Sequence, residues 1–131
     1  VDELPNLLNR IHQFAVAAFE FYDRLPPSSK GRTAGEQFYR ASTSAESNYR
    51  AAKRGRSRAE FIAKLGVAVE EIDEAVGWLE HMRDARIAAD PMLLDEAEQL
   101  RRILGRSLGT ARRNQRIRNQ RRKNEDSDDR P

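Results

Sequence analysis

Two stretches of this chain concentrate side chains able to hold an anion. In NYRAAKRGRSRAEF, residues 48–61, the five basic residues Arg50, Lys53, Arg54, Arg56 and Arg58 fall within nine positions. In ARRNQRIRNQRRK, residues 111–123, Arg112, Arg113, Arg116, Arg118, Arg121, Arg122 and Lys123 stand without an acidic neighbour. Guanidinium groups pair bidentately with phosphate oxygens, and several together give an affinity that falls steeply with salt. Arginine far outnumbers lysine in the second run, and arginine is the better phosphate ligand. A helix carrying only like charges at i,i+4 spacing repels itself, which argues for an anionic partner. No aromatic residue interleaves the run, so the expected readout is backbone or shape, with little base specificity.

Each stretch has a plainer reading beside it. Arg50, Lys53 and Arg54 suit the C-terminal end of a helix, where cations complement the helix dipole. Arg56 and Arg58 are not explained that way, because Arg58 falls at the unfavourable N-terminal end of the next helix. The second run could be a basic tail of no specific use. Alternatively, Glu125, Asp126, Asp128 and Asp129 could fold back on it and neutralise it.

Other chemistry is less well supplied. Glu70, Glu71, Asp73 and Glu74 invite comparison with carboxylate-bridged di-metal bundles, which need Glu-x-x-His on two helices. Three positions before His12 stands Asn9, and three before His81 stands Trp78, so neither histidine completes that spacing. The acidic run reads as a solvated face, or one that pairs with a basic face on another subunit. Ser42, Thr43, Ser44 and Ser47 lie in a helical segment, where hydroxyls commonly bond back to carbonyls. GRTAGE lacks the spacing of a phosphate-binding loop. No catalytic residue, metal site or cofactor is expected, and the chain does not read as an enzyme.

The elements that must position the basic residues are helices. The 131 residues suit one domain, and 38% apolar against 34% charged residues suits helices with one narrow apolar stripe each. The net charge is +3. There are no cysteines, which is compatible with a reducing cytoplasm, the expected location. No secretory signal pattern is visible, and no apolar run nears the roughly 20 residues of a membrane span.

The first helix is expected from about Leu4, with Pro5 in its first turn, to Leu25, where Pro26 and Pro27 stop it. Its stripe is Leu4, Leu7, Leu8, Ile11, Phe14, Ala15, Ala18, Tyr22 and Leu25. Ser28, Ser29 and Gly31 continue the loop, and a Thr33/Glu36 capping box opens a second helix over about 34–54. Its stripe of Ala34, Phe38, Ala41, Ala45, Tyr49 and Ala52 is small enough for close approach, and Gly55 supplies a left-handed stop. Ser57 and Glu60 form a capping box for a third helix reaching about Ile87. Ile62, Val69 and Val76, with Leu65, Ile72 and Leu79, make two seven-residue series, an a/d seam. Beside it runs a second stripe, Phe61, Ala68, Ala75 and Met82, with Trp78 at its edge. Two stripes imply more than one partner helix, and Phe61, Trp78 and Met82 are the candidates for contact with another subunit. Asp90 and Pro91 start the fourth helix, whose inner face is Leu93, Ala97, Leu100, Leu104, Leu108 and Ala111. Residues 1–111 form the bundle domain. Residues 112–131 form a basic helical extension ending in NEDSDDRP, residues 124–131, an acidic tail expected to be disordered. The expected fold is all-α, an antiparallel up-down-up-down four-helix bundle.

Residues 40–80, RASTSAESNYRAAKRGRSRAEFIAKLGVAVEEIDEAVGWLE, carry a family pattern. Its parts are Arg40-Ala41-Ser42-Thr43-Ser44, Asn48-Tyr49, a basic turn, Phe61-Ile62-Ala63-Lys64-Leu65-Gly66, an acidic run and Trp78-Leu79. The chain thereby resembles the four-helix bundle proteins encoded in intervening sequences of bacterial large-subunit ribosomal RNA genes. It departs from the pattern at Ala45-Glu46-Ser47, where a small apolar pair is usual. The resemblance implies a homopentameric barrel and kinship with Avd, the accessory protein of diversity-generating retroelements, a basic partner of a reverse transcriptase and its RNA. It implies no catalytic activity. The combined expectation is a non-enzymatic homopentamer whose Arg54, Arg56, Arg58, Arg112, Arg113, Arg116, Arg118, Arg121, Arg122 and Lys123 bind nucleic acid, structured RNA in particular. The alternative is a protein–protein scaffold with no nucleic-acid role.

Overall fold

The structure, a computed structural model, describes residues 6–129. Its helices are α1 (Leu7–Asp23), α2 (Ser29–Lys53), α3 (Arg58–Asp84) and α4 (Pro91–Asp128). Short turns reverse the chain between them. α1 packs on α2, α2 on α3 and α3 on α4, and a thinner α1–α4 contact closes the ring of neighbours. This is the antiparallel four-helix arrangement that the stripes imply. Among the described residues there is no strand, and no helix is long and apolar enough to cross a membrane.

The core follows the helical periodicity. Every member of the expected α2 stripe, from Ala34 to Ala52, is buried, as is every member of the α4 stripe from Leu93 to Ala111. Phe38 stands at the centre, with Phe14 and Phe21 edge-on to it at 5.9 and 5.6 Å between ring centroids. Small residues let α1 and α2 approach closely: a Cβ on Gly35 would collide with Leu25 and lie 2.7 Å from the Tyr22 ring. Removing each large side chain here from water contributes about 1.5–3 kcal/mol. On α1 the sixth buried position is Phe21, and Tyr22 is only half-buried.

Several boundaries differ from expectation, each for a local reason. The expected start at Leu4 and Pro5 lies outside the described residues. α2 begins five residues early: Ser28, extended after the two prolines, caps it by accepting from the Gly31 N–H at 3.1 Å. Thr33 and Glu36 are therefore helix interior and form no capping box. Gly55 is not left-handed, since no described glycine has a positive φ. The turn needs it for space, because a Cβ there would lie 3.1 Å from both the Ala52 carbonyl oxygen and the Phe61 nitrogen. The left-handed residue is Arg86 (φ 59°) after α3, which ends at Asp84 and not at Ile87. There the Ile87 N–H donates to the Met82 carbonyl (2.9 Å) and Arg86 N–H to that of Arg83 (3.1 Å), the paired bonds of a Schellman motif.

The α3 seam is also divided. Leu65, Ile72, Val76 and Leu79 are buried, whereas Ile62 and Val69 remain half-buried. The second stripe turns inward instead: Ala68, Ala75 and Met82 are fully enclosed by their own chain. Met82 is thus a core residue and is removed from the candidates for subunit contact.

Finally, α4 does not give way to a disordered acidic tail. It continues unbroken to Asp128, with Arg130 and Pro131 outside the described residues. Arginine, glutamine and lysine favour helix. Arg121 and Arg122 also precede Glu125 and Asp126 by four positions, a spacing at which opposite charges attract.

Candidate nucleic-acid interface

The α2–α3 turn and the α4 extension meet at one end of the bundle. The antiparallel register of α3 and α4 brings them there. Arg101 bonds Asp73 (3.1 Å), and further along Arg112 lies over Gly66, its Nη2 3.7 Å from where a Cβ would be. Continuing in that sense places the first turn of α3 level with Arg118. Arg118 also keeps the inner register of α4. Leu104, Ala111 and Arg118 follow one another at seven-residue steps, so the stripe that is core lower down becomes cationic where α4 leaves the bundle.

An open cleft of about 520 Å3 results, lined by Gly55, Arg56, Ser57, Arg58, Phe61 and Arg118. Local bonds shape its floor. Ser57 Oγ caps α3 by accepting from the Glu60 N–H (3.1 Å), and the Glu60 carboxylate accepts from the Arg56 N–H (2.8 Å). Phe61 is half-buried, packing on the core from one side and lining the cleft with the other. No acidic residue lines it.

Arg54 caps the end of α2, exposed beside the turn. Arg112, Arg113, Arg116, Arg121, Arg122 and Lys123 are all exposed on α4. Residues 119–128 project roughly 15 Å past Arg118 at the helical rise. Among the described residues none of the ten basic candidates forms an ion pair, and the acidic residues 125–129 do not fold back on them. They ride on the same helix, farther out.

Other features resolve into structure. Glu46, the departure from the family pattern, has a side chain only 13% exposed and joins His12 on α1 (3.0 Å) to Arg50 (2.7 Å). Ser42 and Thr43 bond back to the Phe38 and Tyr39 carbonyls at 2.8 and 3.0 Å. Of the acidic run, Asp73 pairs with Arg101 and Glu74 accepts from the Trp78 indole at 3.4 Å. Glu71 is half-buried with one oxygen unpartnered; burial first, then the neighbouring Glu74 charge, pushes its carboxyl above the usual range. Among the described residues no three His, Asp or Glu side chains are placed to share a metal. Trp78 is half-buried, edge-on to His81 at 5.7 Å. It lies 17 residues from Phe61 along α3, about 25 Å away, so the two do not form one patch.

Two features were missed in the sequence. Phe61, assigned to a subunit contact, lies among the arginines. Phe19, 47% exposed, makes a surface aromatic cluster with Tyr39 (4.8 Å) and Tyr22. An aromatic residue off the inner stripe of α1 was the available signal for the latter.

The profile of the family described as 23S rRNA-intervening sequence protein matches residues 6–106. A crystal structure of a protein of unknown function from the S23 ribosomal protein family, from Bacteroides thetaiotaomicron VPI-5482, is 26% identical in sequence. It superposes with a TM-score of 0.72, and the match covers 78% of this chain and 97% of that one. No curated protein matches the chain. Arg56 and Arg58 thus fall within the family match and Arg118 beyond it.

Proposed function

The chain belongs to the 23S rRNA-intervening sequence protein family, and from that premise we propose that it is a non-enzymatic RNA-binding bundle. Its basic end holds the phosphate backbone of structured RNA. The observation that carries this reading is the convergence of Arg56 and Arg58, from one turn, with Arg118, from a distant helix, in a cleft whose lining includes no acidic residue. Exposed guanidinium groups with no acidic partner can pair with phosphate oxygens, and several together give salt-dependent affinity. The remaining α4 arginines extend the same potential along a rod that can follow a backbone.

Assembly is part of the proposal. A homopentamer, implied by the family resemblance, would gather five basic ends and raise affinity through avidity. In that form the protein would serve an RNA-handling enzyme such as a reverse transcriptase. The exposed Phe19–Tyr39 cluster favours a protein contact and supports the second reading, a scaffold without nucleic acid.

Direct titration with a folded RNA at low salt separates the two. Saturable binding is expected, and its absence would leave the scaffold. Light scattering tests the assembly, where a monomer at micromolar concentration would contradict it.

A further inference from the structure

The basic cleft contains something that phosphate binding does not need, the aromatic side chain of Phe61. Arginines alone would hold a backbone, and Arg112, Arg113 and Arg116 lie exposed on α4 outside the lining of this cleft. At about 520 Å3 the cleft has the size of sites that enclose small ligands, commonly about 300–1,000 Å3. It is also built, not incidental. Gly55 allows the tight turn on which it stands, since a Cβ there would lie 3.1 Å from both the Ala52 carbonyl oxygen and the Phe61 nitrogen. The nearest carboxylate, Glu60, is held on the Arg56 N–H. Phe61 is fixed from behind by the core.

We infer that the cleft receives a single unpaired nucleotide of RNA, its base stacked on Phe61 and its flanking phosphates held by Arg56, Arg58 and Arg118. This rests on the RNA-binding reading and narrows its substrate to RNA with a bulged, looped or terminal unpaired residue. The chemistry is complementary in both parts. A base inside an A-form duplex presents no free face, whereas a splayed base stacks on an aromatic ring or a guanidinium plane. Stacking on one ring tolerates any base, so the site selects an unpaired position and not a sequence.

The test uses the full chain and a short RNA duplex, with and without one bulged nucleotide, carrying a fluorescent adenine analogue at the bulge. The bulged RNA should bind roughly five- to a hundredfold more tightly than the plain duplex, with the analogue quenched on binding. Phe61→Leu, which keeps apolar bulk against the core, should bring the bulged RNA down to duplex affinity and leave the duplex unchanged. Neutralising Arg112, Arg113 and Arg116 together should weaken both RNAs alike. Equal affinity of wild type for both RNAs would overturn the inference while the RNA-binding reading stands. So would an equal loss of both in Phe61→Leu at an unchanged thermal midpoint. Failure to bind either RNA would overturn both.

Discussion

In the body of the bundle Arg10 reaches Glu96, Arg24 reaches Asp90, Arg50 reaches Glu46 and Arg101 reaches Asp73. At the end where the α2–α3 turn meets α4, Arg56, Arg58 and Arg118 share a cleft, and none of their guanidinium groups forms an ion pair among the described residues. The residue type is the same and the surroundings are opposite. In these four pairs the acid stands on the neighbouring helix, in the same helix or at a helix start. Such pairs at a surface contribute only about 0–1 kcal/mol each. At the end the three side chains are exposed and form no ion pair among the described residues. The two regions should therefore respond differently to the same substitution.

The largest expected difference is in binding. Arg56→Gln, Arg58→Gln and Arg118→Gln together should weaken RNA binding about a hundredfold or more at low salt, three charge-assisted contacts being lost. Thermal stability should hold or rise slightly. Arg10→Gln with Arg101→Gln should do the reverse, leaving affinity within about twofold and lowering the melting midpoint. Parallel binding titrations and thermal melts of the two variants make that comparison.

Next comes a pair of substitutions along one stripe. Leu104→Ala should destabilise by about 2–5 kcal/mol in denaturant titration. Arg118→Ala, two heptads on, should change stability by less than about 0.5 kcal/mol. Similar losses would show that the stripe stays structural beyond Ala111.

Glu46→Gln should cost about 1–2 kcal/mol, since it leaves His12 and Arg50 without their shared carboxylate in a largely buried position. RNA affinity should not move. The smallest effect is at Glu71, whose carboxyl is held above the usual range by burial and then by Glu74. The folded state grips that proton more tightly than the unfolded chain does. Its contribution is therefore favourable below the ordinary glutamate pKa and is lost as pH rises through the raised value. Glu71→Gln should raise the melting midpoint at neutral pH, with the gain fading on acidification; a pH series of melts reads it.

Much of this fold was legible because helical spacing carries burial directly. The α2 and α4 stripes could be read residue by residue, since a three- and four-residue repeat fixes a face. Arg118 was legible in the same terms: it continues Leu104 and Ala111 at seven-residue steps, although charge alone did not mark it out from its neighbours. What spacing does not carry is which stripe meets which helix. Phe61 and Met82 share a stripe, yet Phe61 stays half-buried near the start of α3 while Met82, near its end, is fully buried. Turn chemistry was harder still. Two consecutive prolines moved the cap to Ser28, and the left-handed position went to Arg86, an identity that gives no signal for it.

The central claim, that the unpaired arginines exist to meet phosphate, is tested most directly by the salt dependence of RNA affinity. On a plot of log affinity against log salt, neutralising Arg56, Arg58 and Arg118 should reduce the slope by about 2–3, between 0.7 and 0.9 for each phosphate contact removed. An unchanged slope would mean that none of the three touches the backbone and would contradict the account.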